Sequence, residues 1–249
     1  MQRNLWAVTG LYVAGIIGAG FASGQELTVF FVNYGWGGLL GIVLAVIILF
    51  VGTGLTLQFS AKFQVSSYGQ IFAVLDPKLK IMFELFYALF LITGIAVMYA
   101  GIGAMGQTSL AGLLWRIGSA FFVFIVLCRG VEGVLRMSAW IAPSIVAVLC
   151  IIAFRFLQPR GLVLSQSGDL RGLEAGILYA CYNLGFSLAV LASIHQYLPT
   201  SRQRWQLAFA GSIILGTCMI MLYFALASLT PQQLEHPFPM INLLTSWGS

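Results

Sequence analysis

The sequence predicts an all-α, polytopic membrane protein. Of its 249 residues, 60% are hydrophobic and 8% are charged, and the mean hydropathy is +0.96. A soluble domain carries roughly 25% charged residues, so this chain lacks the charge of a water-facing surface. Its apolar runs are long enough to cross a bilayer as helices and lack the alternation of membrane β-barrel strands. These observations exclude a soluble enzyme, a nucleic-acid-binding module and a disordered protein.

Seven apolar segments separated by short polar stretches predict the membrane spans. They run over Leu5–Val32, Gly37–Leu57, Ile81–Met105, Leu113–Cys128, Met137–Phe156, Leu173–Ile194 and Trp205–Leu229. An incomplete eighth begins near Pro239. In the polar stretch after the second span, Tyr68–Leu75 is predicted as a short helix that ends at Asp76-Pro77, because proline disfavours helix in the residue before it.

The distribution of basic residues predicts the orientation. With alternating spans, eight of the twelve basic residues fall on the side where the chain starts: Arg3, Lys62, Lys78, Lys80, Arg129, Arg136, Arg202 and Arg204. Cytoplasmic loops of membrane proteins are enriched in Lys and Arg. We therefore expect a multi-pass protein with a cytoplasmic N-terminus, and the net charge of +5 then needs no nucleic-acid partner.

The residues that carry common enzyme chemistry are missing from the sequence. There is no GxSxG, HExxH or P-loop motif, and His195 and His236 are the only histidines. The four cysteines lie in apolar stretches without CxxC spacing and are expected to be small core residues. The sequence thus predicts neither an enzyme nor a metal site, and no bound organic cofactor.

The first apolar segment contains the most informative residues. Four glycines fall within ten positions, Gly15 to Gly24, and each weakens a helix by about 1 kcal/mol relative to alanine. Ser23-Gly24-Gln25-Glu26 fits a capping box, in which Ser23 accepts from a backbone N–H and Glu26 reaches back to the cap. We predict a helix that stops near Ile17, is unwound over Gly18–Ala22 and restarts at Ser23.

Three alternatives apply to this segment. Arg3 followed by an apolar run and Gly20-Phe21-Ala22 fits a signal peptide, although three earlier glycines and a second apolar segment argue against it. The spacing of Gly20 and Gly24 also suits close helix packing. Glu26 fits a structural cap, a functional carboxylate at membrane depth, or both roles together.

The sixth span repeats the irregularity. Asn183 and Ser187 are polar residues at mid-depth, with Gly185 between them. They suit either an interhelical hydrogen-bond pair or a second break. The first and sixth spans cross in opposite directions, and corresponding broken helices in two inverted halves mark the binding site of a secondary transporter. We therefore predict a first five-helix repeat over 1–156 and an incomplete second repeat over 157–249.

The stretch Gly18–Glu26, with Phe30-Phe31 and Tyr34-Gly35 after it, resembles the opening motif of the YkvI-type bacterial membrane proteins. The likeness extends to Tyr182-Asn183-Leu184 and to Pro237–Leu244. Those proteins are placed in the amino acid–polyamine–organocation superfamily, which has the leucine-transporter fold of five-plus-five inverted repeats. The resemblance implies sodium- or proton-coupled uptake of an amino acid or similar zwitterion across the bacterial cytoplasmic (inner) membrane.

The resemblance also implies roles for particular residues. Ala19, Gly20 and Ser23 would contact a substrate carboxylate, and carbonyls around Gly15–Gly18 would face the coupling ion, with Glu26 as a proton acceptor or amine partner. Tyr99 would lie beside the substrate, unless it is an ordinary packing tyrosine. Asn183 and Ser187 complete the candidate site, and Pro143 would kink the fifth span.

The fold implied by the resemblance has ten spans, whereas the chain supplies seven and the start of an eighth. We therefore expect a truncated protein that does not transport by itself. The alternative is a non-transporting seven-helix receptor or assembly protein, although a rhodopsin-like receptor would place its N-terminus outside. A channel is less favoured because a filter motif is lacking. The expected partners are the lipid bilayer and a small solute, and the oligomeric state stays open.

Overall fold

A computed structural model describes residues 2–104, 106, 108–156, 169–236 and 238–245, which form helices and connecting turns without a strand. The helices are α1 (Gln2–Ile16), α2 (Ala19–Ser23), α3 (Gln25–Phe30), α4 (Trp36–Phe63), α5 (Tyr68–Leu75), α6 (Lys80–Ala104), α7 (Ser109–Leu127), α8 (Gly130–Phe156), α9 (Arg171–Ile194), α10 (Ser201–Leu226), α11 (Pro231–Leu234) and α12 (Pro239–Thr245). Two short 3-10 turns, Val32–Tyr34 and His195–Tyr197, follow α3 and α9.

The predicted spans agree with the helices. Among the described residues, six helices are long and apolar enough to cross a bilayer: α4, α6, α7, α8, α9 and α10. The first apolar segment is divided among α1, α2 and α3. The short helix predicted at Tyr68–Leu75 is confirmed, with Ser67 as its N-cap accepting a hydrogen bond from the Gln70 amide. The predicted eighth segment begins as α12, at Pro239.

Helices α4 and α9 cross with their backbones in contact. Gly37 and Gly41 on α4 face Gly172 and Gly176 on α9, and a Cβ atom on any of the four would collide with the opposite backbone or, for Gly37, with the carbonyl of Asp169. Two glycines four residues apart lie on one helix face, so each helix offers a smooth strip to the other. This contact fixes the centre of the bundle.

The remaining core forms around this pair. Helix α10 packs against α4, α1 and α8, and α1 packs along α8. Fully buried side chains on these elements include Ile42 and Leu49 of α4, Tyr179 of α9, and Met219 and Tyr223 of α10. The α6 helix is far less buried, and α7 contacts mainly α6 and α8. The residues before 157 and after 168 therefore share one core.

The same order of elements occurs twice. The first apolar segment is followed by a 3-10 turn, a 28-residue helix (α4) and a short helix (α5). In the second part, α9 is followed by a 3-10 turn, a 26-residue helix (α10) and the short α11. Helices α4 and α10, which hold equivalent places in this order, pack against each other.

Candidate functional site

The first apolar segment is broken in two places. Helix α1 ends at Ile16 and α2 begins at Ala19, with Gly18 extended between them (φ −86°, ψ −173°). The second break is at Gly24, whose φ of 81° lies in the left-handed region that favours glycine. The predicted stop near Ile17 is confirmed. The prediction of an unwound stretch over 18–22 is wrong, because residues 19–23 form one short helix.

The predicted capping box does not form. The Ser23 hydroxyl donates to the carbonyl of Gly20 at 3.0 Å and accepts a hydrogen bond from the Gln25 amide at 3.3 Å. The N-cap of α3 is Gly24, which has no side chain to accept a hydrogen bond. The left-handed turn at Gly24 starts α3 one residue later than a Ser23 cap would, so Glu26 is free of the structural role.

The broken segment lies inside protein. Phe21, Leu27 and Phe31 are fully buried, and the ring of Phe31 meets that of Tyr179 at a centroid distance of 5.1 Å. Irregular backbone at membrane depth persists where protein or a polar cavity surrounds it, since lipid offers no hydrogen-bond partners. The first segment is a single apolar run of fewer than 30 residues, and the burial of these side chains explains how it can contain two helix breaks.

Helix α9 is continuous, so the prediction of a broken sixth span is wrong. The polar side chains at its centre satisfy their own helix instead of interrupting it. The side-chain amide of Asn183 donates through Nδ2 to the backbone carbonyl of Tyr179 at 2.9 Å, and the Ser187 hydroxyl donates to the backbone carbonyl of Asn183 at 2.8 Å. Each bond joins residues four apart on one face. The interhelical hydrogen-bond pair is likewise not formed by these groups.

A side chain from α6 nevertheless enters α9 at Gly185. The Tyr87 hydroxyl donates to the carbonyl of Gly185 at 2.9 Å and accepts from the amide of Ala189 at 3.1 Å. In an undisturbed helix these two backbone groups bond to each other. Gly185, which the sequence marks as irregular, is thus a point at which α6 bonds to the backbone of α9.

A small cavity lies where the first break, α6 and α9 meet. It measures about 110 Å³, the room that about four water molecules occupy in the liquid. The first segment, α6 and α9 all contribute to its lining: Gly15, Ile16, Gly18, Gly20, Glu26, Phe90, Thr93, Gly94, Val97, Met98, Tyr182, Asn183 and Phe186. Glu26 is the sole charged residue in this set.

The Glu26 carboxyl group folds back over the break. A Cβ atom on Gly20 would lie 2.7 Å from Glu26 Cγ and 2.8 Å from Cδ, so the absence of a side chain at Gly20 makes room for the carboxyl group. Glu26 Oε2 is buried and has no hydrogen-bond partner within the part of the chain that the structure describes.

The structure brings together part of the predicted site. The predicted residues that line the cavity are Gly15, Gly18, Gly20, Glu26 and Asn183. Three others do not line it: Ser23, which bonds to its own turn, Ser187, which bonds to its own helix, and Tyr99 on α6. The side chain of Ala19 lies outside the described residues. The roles of these residues stay predictions.

Sequence reasoning missed the aromatic wall opposite Glu26. The Phe90 ring lies 4.2 Å from that of Phe186, and the Tyr182 ring lies 4.9 Å from that of Phe186, measured between centroids. In an apolar span such residues do not stand out from core or lipid-facing aromatics. The spacing of Tyr182 and Phe186, four apart and flanking Asn183, was the available signal for a shared face.

The cysteines are free thiols, but they are not all core residues as expected. Cys218 is buried and Cys150 is half-buried, whereas Cys128 and Cys181 are exposed. Exposure on an apolar helix is compatible with a lipid-facing position, which the sequence pattern does not separate from the core.

A second, larger space lies between α1 and α8, away from Glu26. It measures about 1140 Å³ and is lined mainly by apolar residues of these two helices, including Trp6, Gly10, Trp140 and Pro143. The predicted kink residue Pro143 lies inside α8, which continues through it. Glu132 and Arg136, an exposed ion pair with N–O distance 3.9 Å, lie at this groove.

Comparison with known proteins supports the membrane assignment. The chain is 26% identical over 246 residues to the "Uncharacterized membrane protein YkvI" of Bacillus subtilis, covering 94% of this chain and 69% of that protein. It is 24% identical over 238 residues to the "Uncharacterized protein YyaD" of the same organism, with the same two shares covered. No family model matches, and no solved structure matches. The chain is a multi-pass helical membrane protein similar to YkvI.

Proposed function

We propose that the chain forms the solute-binding core of an ion-coupled secondary transporter for an amino acid or similar small amine-bearing solute. The observation that carries this proposal is the broken first segment, whose Gly18 and Gly20 line a cavity with Glu26, whose Oε2 atom has no hydrogen-bond partner among the described residues. Discontinuous helices that line a cavity at membrane depth are typical of solute and ion sites in secondary transporters. A carboxyl group there is costly unless it binds a proton or a cation.

The repeated order of elements supports an inverted-repeat arrangement. Two repeats with an odd number of spans each cross the bilayer in opposite senses, and solute sites lie at the interface between them. The first segment and α9, which would open the two halves of the proposed repeat, both line the cavity, which supports a site between the two repeats. We further propose that the bacterial cytoplasmic membrane holds the protein, with its N-terminus in the cytoplasm.

Alternating access requires more than a solute site. The matched part of YkvI is 69% of that protein, so about a third of its length has no counterpart in the alignment. We propose that the 249 residues bind solute and that the longer relative completes the transport cycle. A non-transporting receptor is the second candidate, but a carboxyl group that lines a cavity beside broken backbone is better suited to binding a charged solute or ion than to a packed receptor core.

The test is reconstitution of the chain and of YkvI in separate proteoliposomes. With an inward sodium or proton gradient, YkvI is expected to accumulate a radiolabelled amino acid. The 249-residue chain is expected to bind that amino acid without accumulating it. Gradient-independent equilibration would favour a channel, and absence of any gradient-driven uptake by either protein would contradict ion-coupled transport.

A further inference from the structure

We infer that the cavity recognises its solute through the positively charged amine, and that a solute without a carboxylate binds at least as tightly as the matching amino acid. This inference rests on the proposed function and names the chemistry of the same site. It departs from the expectation that the first segment binds a substrate carboxylate.

The charge of the cavity is the first argument. Among the residues that the structure describes, Glu26 is the single carboxyl group in the lining, and none of the lining residues is Lys, Arg or His. The Oε2 atom of Glu26 has no hydrogen-bond partner among the residues whose positions are described. A carboxylate buried without a counter-charge is destabilised, so a cation that enters the cavity gains a full ionic hydrogen bond. A carboxylate on the solute would meet a like charge with no basic side chain to offset it.

The aromatic wall is the second argument. Phe90, Tyr182 and Phe186 form one cluster, with Phe90 and Tyr182 rings perpendicular at a centroid distance of 6.2 Å. The negative faces of aromatic rings attract ammonium groups, and more strongly when water is excluded. Phe90, Tyr182, Phe186 and Glu26 line the same small space. A bare metal cation gains less here, because it needs several oxygen ligands in place of its water.

Size is the third argument. A cavity of about 110 Å³ holds a compact solute of roughly four to six non-hydrogen atoms. Four glycines line it, Gly15, Gly18, Gly20 and Gly94; Gly20 leaves room for the Glu26 carboxyl group and Gly94 leaves room for the Phe186 ring. The solute is therefore a small primary amine and not a long polyamine or an aromatic amino acid.

Three probes of equal size separate the alternatives. Glycinamide carries the ammonium group alone, glycine carries both charges, and propionate carries the carboxylate alone. Their affinities are measured by calorimetry on the purified chain in detergent. We expect glycinamide to bind at least as tightly as glycine and propionate to show no binding. Tighter binding of glycine than of glycinamide, or no binding of any probe, would overturn the inference.

Two variants place the binding in the cavity. Glu26→Gln removes the charge and is expected to weaken the binding of glycinamide by about tenfold or more. Glu174→Gln, at the exposed start of α9, is expected to leave that affinity unchanged. Gly15→Ala adds a methyl group to a residue that lines the cavity, at a position where a Cβ meets no atom within 4 Å. This variant should weaken the binding of glycinamide without lowering the thermal stability of the protein. Gly118→Ala, equally open on α7, is its control.

The outcomes also distinguish this inference from the proposed function. Unchanged glycinamide binding in both Glu26→Gln and Gly15→Ala would overturn the cavity assignment, even if YkvI transports. Competition by sodium chloride but not by choline chloride at equal ionic strength would assign Glu26 to the coupling ion and likewise overturn it. If both variants weaken glycinamide binding while neither this chain nor YkvI shows gradient-driven uptake, the binding site is upheld and the transport function is refuted.

Discussion

The hydroxyl of Tyr87 on α6 bonds to two backbone groups of α9, donating to the carbonyl of Gly185 at 2.9 Å. The same oxygen accepts from the Ala189 amide, so one side chain from α6 satisfies both groups that a regular α9 would pair. This contact joins the least buried wall of the cavity to the helix that carries Tyr182, Asn183 and Phe186.

Removal of this hydroxyl should loosen α6 from α9. Tyr87→Phe is expected to lower the free energy of unfolding by about 1 kcal/mol, the usual net worth of a hydrogen bond. Thermal unfolding in detergent measures the loss. Tyr99→Phe, on the same helix and without a hydrogen bond among the described groups, is the control. Equal stability of the two variants would contradict the role given to Tyr87.

The close crossing of α4 and α9 should tolerate no added methyl group. In Gly176→Ala, the new Cβ would lie 2.8 Å from Gly41 Cα. Because that neighbour is backbone, the helices must separate, at a cost of about 2 kcal/mol. Gly118→Ala faces open space and is expected to be neutral or stabilising. A thermal unfolding midpoint of Gly176→Ala at or above that of Gly118→Ala would refute the argument.

Gly24 should be needed for both conformation and packing. Gly24→Ala places a side chain at φ 81°, which costs about 1 kcal/mol, and brings it 3.1 Å from atoms of Leu226 and Met240. Gly130→Ala shares a positive φ of 64° but meets nothing. We expect both variants to lose stability, Gly24→Ala more, and only Gly24→Ala to lose glycinamide binding, since it shifts Glu26. Matching losses of stability and of binding would argue against this view.

The predicted orientation can be tested with single cysteines. After replacement of the four native cysteines by alanine, Ser66→Cys marks the loop after α4, and Gln232→Cys marks α11. Both residues are exposed. If the N-terminus is cytoplasmic, a membrane-impermeant maleimide should label Gln232→Cys in right-side-out vesicles and Ser66→Cys in inverted ones. The opposite pattern would reverse the topology.

The sequence predicts the helices well and the site only in part. Span positions follow from composition, and the short α5 follows from Asp76-Pro77, because both are local signals. The two breaks in the first segment also follow from a local signal, since glycines such as Gly18 and Gly24 weaken a helix wherever they occur. The continuity of α9 could not be predicted from local signals alone. Asn183 and Ser187 bond to carbonyls of their own helix, and the Tyr87 hydroxyl from α6 bonds to the carbonyl of Gly185. Partners from 98 residues away leave no trace in a short motif.

The same limit explains the aromatic wall and Tyr99. Phe90 and Tyr99 lie on one helix, and an apolar pattern all round that helix does not reveal which side faces the cavity. The tertiary structure selects the face with Phe90, Thr93 and Gly94 and leaves Tyr99 out. Glu26, by contrast, could be singled out at once, because a carboxylate inside an apolar segment is rare.

The glycine strip between α4 and α9 has a mechanical consequence. Backbone atoms in direct contact leave no side chains that can rearrange between these two helices. The wall formed by α6 meets α9 through aromatic rings and one hydroxyl. The cavity thus lies between one side that is held by backbone packing, α9 against α4, and one side that is held through side chains, α6.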